Sequence, residues 1–363
     1  LVSIVLLLDA KLIERFAGII YLISILSLLG LFVFGKNING ATSWYPIGSF
    51  SLQPSEFAKM ATALAIARLL SDRQFDLKTL SNQIKAIGIL FIPALLITLQ
   101  PDAGSALVYA SFFFVLYREG VPASYIYLSI SAILLFLTTL IFGFSIVLGA
   151  SFLLISLCLL YIHYFSSYNL KFQISKILIL YLSVFAWIAS VSYVYNNVFE
   201  QHQRDRFSIL LGQNQDIQGI GYNTNQSILT ISSGGLKGKG FLNGDRTQGH
   251  FVPEQSTDYI FTVIGEEWGF IGTATVVLIF TFFIARIIIQ AEKQRSSFAR
   301  IYGYSIASIF FFHFVINIGM VIGLFPTVGI PLPFFSYGGS ALWGFTLLLF
   351  VFIKLDAAKD TEW

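Results

Sequence analysis

From Phe16 onward the chain is built of long, nearly unbroken apolar blocks separated by short polar stretches. Ten blocks are read as membrane spans. They are roughly Phe16–Gly35, Phe57–Leu70, Ala86–Gln100, Ala103–Tyr117, Pro122–Gly143, Ile146–Phe165, Ser175–Val198, Tyr259–Gln290, Ile301–Leu324 and Ser340–Ile353. A spanning backbone has to satisfy its own hydrogen bonds, which leaves helices or a closed barrel, and barrel strands alternate where these blocks run. The pattern predicts an all-α polytopic transmembrane helical bundle of about ten full spans, one domain over residues 1–363. The stretch Pro122–Phe165 also reads as one irregular span instead of two. Leu1–Leu8 reads as the tail of a further span whose beginning lies before Leu1, not as a signal peptide, because no charged n-region leads it.

Composition agrees. Of 363 residues, 56% are hydrophobic and 11% charged, which excludes an ordinary soluble domain. The lone Cys158 excludes an internal disulfide. Alternating the loops between two sides puts fifteen of the 22 Lys and Arg on one side and six on the other, with Lys59 inside a span. The positive-inside rule makes the richer side cytoplasmic. The long hydrophilic segment 199–258, rich in Gly, Gln, Asn and Ser, is then an extracytoplasmic loop, and a loop of that length is functional or disordered.

That loop ends in FVPEQSTDYIFTVIGEEWGF (Phe251–Phe270), which sets Glu254, Asp258, Glu266 and Glu267 beside hydrocarbon. A carboxylate there needs water, a partner or a function. Asp258 has two readings. Ser256, Thr257 or Asp258 caps the next helix, or Asp258 is a general base at a water–lipid boundary. Glu266 and Glu267 lie two turns deeper and cannot both avoid the bundle interior. In SLQPSEFAKM (Ser51–Met60), Pro54 suits a first helical turn, and Glu56 and Lys59 share a face. They are a structural pair or, because a cation in an apolar span marks a site, a functional one. Arg204 and Arg206, with Lys237 and Lys239 of SSGGLKGKGF (Ser232–Phe241), are solvated surface charges or an anion site for pyrophosphate. GLFPTVGIPLPFFSYGGSALWGF (Gly323–Phe345), with three prolines and a glycine pair, predicts a broken, re-entrant segment that shapes a cavity. The four histidines show no ligand spacing, and the chain has no Walker A loop, dinucleotide fingerprint or serine-nucleophile elbow.

Several stretches occur in one order along nearly the whole chain: GATSWYPIGSFSLQPSEFAKM (Gly40–Met60), QPDAGSAL (Gln100–Leu107), SSGGLKGKGF, FVPEQSTDYIFTVIGEEWGFIG (Phe251–Gly272) and NIGMVIGLFPTVGIPLPFFSYGGSAL (Asn317–Leu342). In these the sequence resembles the SEDS family (shape, elongation, division and sporulation), and most closely its elongation-type members. The resemblance implies a peptidoglycan glycosyltransferase that polymerises lipid II at the outer face of the cytoplasmic (inner) membrane. Carried over by motif, the family's essential aspartate falls on Asp258, the tryptophan of its first outer loop on Trp44, and its Glu and Lys on Glu56 and Lys59. The family norm PERHTD or PEAHTD is replaced by PEQSTD, so a histidine role is not carried over. Two hydrophobic segments between Arg118 and Val198 are extra to the family pattern.

Joined to the residue reading, this gives one inverting displacement. Asp258 is the base for the acceptor 4-hydroxyl. Arg204, Arg206, Lys237, Lys239 and Lys59 are candidates to neutralise pyrophosphate, and Trp44, Glu56, Glu266 and Ser336 are candidate substrate contacts. A divalent cation (Mg or Mn) is a candidate companion; no organic cofactor and no nucleic acid are expected. The rival readings are a lipid II flippase and a non-enzymatic cell-wall scaffold. The resemblance further implies a class B penicillin-binding protein as partner. Gly319 and Gly323, four apart, offer its single helix a small-residue face or serve packing within the bundle.

Overall fold

The computed structural model describes residues 2–359, apart from 39, 49, 166–173, 200, 202–203, 206–207 and 209–220. Arg206 lies outside the described residues. Two compact units are present, residues 1–121 with 217–363, and residues 122–216. The larger unit begins with α1 (Val2–Leu7) and α2 (Ala10–Phe34), followed by three short antiparallel strands β1 (Lys36–Ile38), β2 (Ala41–Ile47) and β3 (Phe50–Leu52) in the order β1-β2-β3. Helices α3 (Pro54–Leu70) and α4 (Leu80–Leu99) come next, then a broken segment of α5 (Ala103–Leu107), a 3₁₀ turn and α6 (Phe112–Arg118). The smaller unit holds α7 (Ser124–Phe142), α8 (Phe144–Phe165) and α9 (Ile174–Tyr193). The chain then returns to the larger unit with α10 (Tyr222–Ser233), α11 (Asp245–Gln248), α12 (Ile260–Glu292), α13 (Ser297–Val321) and α14 (Gly339–Ala358).

Among the described residues, eight helices are long and apolar enough to cross a membrane: α2, α4, α7, α8, α9, α12, α13 and α14. The other two predicted spans are helical but shorter. One is α3, of 17 residues, and the other is the interrupted segment from Ala103 to Arg118. The chain is therefore a multi-pass, all-α membrane protein whose β1-β3 sheet is the one β element among the described residues. Pro122–Phe165 resolves into two helices parted at Gly143, whose φ of 81° no ordinary helix residue adopts.

Helix α13 is the spine of the larger unit. Two-thirds of its most apolar stretch is buried, against about a fifth for α2, α4 or α12, and it packs on α3, α12 and α14. Of the two readings of Gly319 and Gly323, packing within the bundle is the one realised. Gly319 packs inside the bundle, where a side-chain carbon would collide with the Phe325 ring. Gly323 lies beyond the end of α13 with φ 78°, facing Ile228 and Thr224. The two do not form a helical face for a partner.

The segment expected as one long loop carries α10, α11 and a docking turn. Helix α12 is broken at Gly269 (φ 63°, ψ −158°), a conformation in which a Cβ clashes with the backbone. The break frees backbone groups, and residues 235–240 capture them. Lys239 N donates to Glu266 O (3.0 Å) and Gly240 N to Glu267 O (2.9 Å), while Phe270 N donates to Gly235 O (2.8 Å) and Ile271 N to Leu236 O (3.1 Å). A methyl at Gly269 would also strike the Gly238 amide nitrogen. Gly269→Ala is therefore expected to destabilise the protein by more than about 2 kcal/mol, read as a lowered thermal midpoint in detergent. Gly18→Ala, mid-helix in α2 with open space around it, is expected to be neutral or slightly stabilising by the same measurement. Equal midpoints for the two variants would show that the break does not hold the loop.

Candidate active site

Asp258 stands two residues before α12 (Ile260–Glu292). The residue that opens the helix is Tyr259, and no side chain caps it. The capping reading of Asp258 is thus not realised, and its carboxylate is free of that structural duty. The backbone around it is pinned carbonyl by carbonyl. Tyr337 N donates to Ser256 O (2.9 Å), Ser336 Oγ to Thr257 O (2.6 Å) and Asn317 Nδ2 to Asp258 O (2.7 Å). The carboxylate leans on Gly329, where a side-chain carbon would lie 3.3 Å from Oδ2. Gly329 in turn rests near Gly104, where a side-chain carbon would collide with Val328 O. Burial raises the Asp258 pKa to about 6, helped by the negative charges of Glu254 and Asp102. A half-buried carboxylate with that pKa is ionised near neutrality yet basic enough to accept a proton from a hydroxyl.

Glu56 and Lys59 form a buried pair. Pro54 opens α3 and Glu56 sits in its first turn, so residues three apart face the same way. Lys59 Nζ lies 2.9 Å from both Glu56 carboxylate oxygens and 2.9 Å from His313 Nε2. His313 Nδ1 is 3.0 Å from Pro331 O. A carbonyl only accepts, so Nδ1 carries the hydrogen and Nε2 accepts from the ammonium. The Phe345 ring covers the ammonium at 5.2 Å. With 0% and 2% of Lys59 and Glu56 exposed, neither side chain reaches solvent, and the two stand as a buried structural pair. The geometry does not support Lys59 as a pyrophosphate ligand or Glu56 as a substrate contact.

Glu266 is equally committed. Its carboxylate, wholly buried, accepts from Lys239 Nζ (2.8 Å), Arg246 N (3.1 Å), Thr247 N (2.8 Å), Thr247 Oγ1 (2.6 Å) and Ser233 Oγ (3.3 Å). These bonds fasten the 239–247 turn to α12, so Glu266 is a loop anchor and not a substrate contact. Lys239 also meets Asp245 at 3.1 Å; hydrogen bonds to Glu266 and Asp245 raise its pKa and keep it charged. Lys237 is exposed on the same turn. Arg204, in the smaller unit, reaches Asn196 O at 3.4 Å. Trp44 is half-buried on β2, opposite Lys36. Ser336 holds the Thr257 carbonyl and accepts from Leu332 N (2.7 Å), which makes it a brace for the backbone before Asp258.

Three contributors escaped the residue-by-residue reading. Asp102 acts on Asp258 through charge while capping α5 through Ser105 N (3.0 Å) and accepting from Gln53 Nε2 (3.0 Å). Its place in QPDAGSAL was the available signal. His313 and Asn317, one turn apart in an apolar span, were detectable only as polar residues where polarity is costly. Among the described residues, no group of three or more His, Cys, Asp or Glu is placed to hold a metal. No chemical step is routed through a cation.

Removing one member of the Glu56–Lys59 pair leaves the other charge buried without its partner, which costs more than the intact pair contributes. Lys59→Met is expected to lower stability by about 3–5 kcal/mol, and adding Glu56→Gln to recover a large part of that loss. Thermal midpoints of the single and double variants test this; strictly additive losses would show the two groups to be uncoupled.

A family model described as "Cell cycle protein" (FTSW_RODA_SPOVE) matches residues 1–150 and 147–360. Peptidoglycan glycosyltransferase MrdB of Escherichia coli (strain K12) is 33% identical over 330 residues, covering 91% of this chain and 74% of that protein. Peptidoglycan glycosyltransferase RodA of Treponema pallidum (strain Nichols) is 32% identical over 365 residues, covering 95% and 82%. Among solved structures, a chain described under "Structural coordination of polymerization and crosslinking by a peptidoglycan synthase complex" superposes with a TM-score of 0.71 at 24% identity, covering 99% of this chain and 86% of that one. The crystal structure of the Thermus thermophilus rod shape determining protein RodA gives 0.61 at 21% identity, covering 99% and 83%. Each of these two likenesses shows the fold, and the family model and the curated relatives show the kinship: the chain belongs to the FtsW/RodA/SpoVE family of cell cycle proteins, the SEDS proteins.

Proposed function

We propose that this protein is a peptidoglycan glycosyltransferase of the elongation type, which polymerises lipid II at the extracytoplasmic face of the cytoplasmic membrane. The observation that carries the reading is the Asp258 carboxylate, raised to a pKa of about 6, relieved of any capping role and set on a braced backbone. The names of the relatives, peptidoglycan glycosyltransferases MrdB and RodA, support the reaction class. The charge bias of the loops supports the side.

The chemistry is one displacement. Asp258 accepts the proton of the acceptor 4-hydroxyl as that oxygen attacks C1 of the donor sugar. The C1–O bond to pyrophosphate breaks on the opposite face, which turns an α-linked donor into a β-1,4 product. Polyprenyl pyrophosphate is a good leaving group and needs no general acid. Exposed Lys237 is the cation of the 232–241 turn best placed to meet it, because Lys239 is held by Glu266 and Asp245. Trp44 remains a candidate sugar contact.

A flippase is the second reading, because charged groups inside spans also line transport paths. Against it, Lys59 and Glu266 are each held by a protein partner at hydrogen-bond distance. Purified protein given labelled lipid II in detergent separates the two: polymer requires the enzyme, whereas transbilayer movement in vesicles without polymer requires the transporter.

Asp258→Asn keeps shape and hydrogen-bonding size while removing the base. It is expected to lower polymerisation by about 10²-fold or more with unchanged folding. The wild-type rate should be flat above about pH 6 and fall about tenfold per unit below it, since only the ionised carboxylate accepts a proton. A folded Asp258→Asn protein with near-normal turnover would remove Asp258 from the reaction. A class B penicillin-binding protein is the proposed partner, supported by the solved neighbour whose description joins polymerisation to crosslinking. Co-purification from co-expressing cells in mild detergent is the expected result, and consistent failure to co-purify would count against the pairing.

A further inference from the structure

Asn317 lies on α13 one turn beyond His313, so both side chains leave the same face of the most buried of the eight long spans. Its Nδ2 donates to two carbonyls at once, Asp258 O and Ile330 O, each at 2.7 Å. His313 takes the next carbonyl of the same loop, Pro331 O, at 3.0 Å. Because both partners of the Asn317 amide are acceptors, its orientation is set by chemistry: nitrogen has to face them. Oδ1 is thereby left buried, with no hydrogen-bond donor among the described residues. A buried acceptor without a donor is unfavourable and calls for an explanation.

The two carbonyls supply one. One belongs to Asp258 itself. The other belongs to Ile330, the neighbour of Gly329, on which the Asp258 carboxylate leans. A single amide therefore fixes the separation between the peptide of the base and the surface beneath its carboxylate. Tyr337 and Ser336 brace the two preceding carbonyls from the loop side; Asn317 ties the Asp258 carbonyl to helix α13. We propose that Asn317 is the positioning residue for Asp258, clamping the peptide of the base and the 329–330 turn to α13 so that the carboxylate meets the acceptor hydroxyl at a fixed height. The proposal rests on the reading of Asp258 as general base.

The test uses Asn317→Leu, nearly isosteric and without a donor, and Asn317→Ser, which is small and too short to bridge both carbonyls. Each is made in the full-length wild-type chain and in the Asp258→Asn chain. Turnover and KM for lipid II are measured beside the thermal midpoint. Misplacement of a base by about an ångström costs on the order of 10²-fold in rate. With Asp258 present, the expected result is kcat lowered about 10- to 100-fold with KM nearly unchanged. In the Asp258→Asn background the same substitutions are expected to cause little further loss, because there is no base left to misplace. Wild-type kcat in a folded variant, or the same fold-loss in both backgrounds, overturns the positioning role while leaving Asp258 as the base. Loss of folding in both variants also overturns it, in favour of a purely structural clamp. Full turnover by Asp258→Asn alone would instead bring down the base reading itself, so the two failures are distinguishable.

Discussion

A polar group taken out of water has to find its partner within the protein, and in a bundle of apolar spans that requirement decides where almost every polar side chain goes. The Lys59 ammonium is met by Glu56 and by the His313 ring. The buried Glu266 carboxylate is met by four donors from the turn that lies against it and by Ser233 of α10. The backbone groups released where α12 breaks at Gly269 are met by residues 235–240. Each of these is a closed exchange, which is why a segment as glycine-rich as 234–244 takes up one defined course.

The same requirement makes Asp258 different. Its backbone carbonyl is tied down, and so are the two before it. Its carboxylate is half-buried and crowded by the charges of Glu254 and Asp102. Burial and like charge both disfavour the ionised form, which is how a carboxylate is brought towards the range in which it exchanges protons with a hydroxyl near neutral pH. The surrounding ion pairs give the site rigidity, and the Asp258 carboxylate is the group proposed to react.

The prolines and glycines of 323–339 serve this division. Pro331 and Pro333 stiffen the segment, since a fixed φ removes conformations the loop would otherwise sample. Gly329, with φ 66°, turns the chain and leaves room for the Asp258 carboxylate. The segment works as a splint between α13 and the stretch before α12: His313 and Asn317 hold one side, and the Ser256 and Thr257 carbonyls hold the other.

The spans were legible in the sequence because a helix in lipid needs about 20 apolar residues in a row, and no other element writes that pattern. Asp258 was legible as a candidate because a carboxylate beside hydrocarbon needs a reason, and the PEQSTD stretch supplied one by resemblance. The start of α3 and the Glu56–Lys59 contact were legible too, since Pro54 and a spacing of three are local signals. Local signals end there. Whether Lys59, Lys239 and Glu266 face a ligand or one another depends on which distant segments the bundle brings beside them. His313 is 254 residues from Lys59, and the turn that seals Glu266 lies about 20 residues away on a separate piece of backbone. Hydrophobicity along the chain determined that this protein is a membrane bundle and where its polar loci lie. Only the tertiary structure decided which charges neutralise each other, because that choice is made by pairing across sequence separations that no local pattern encodes.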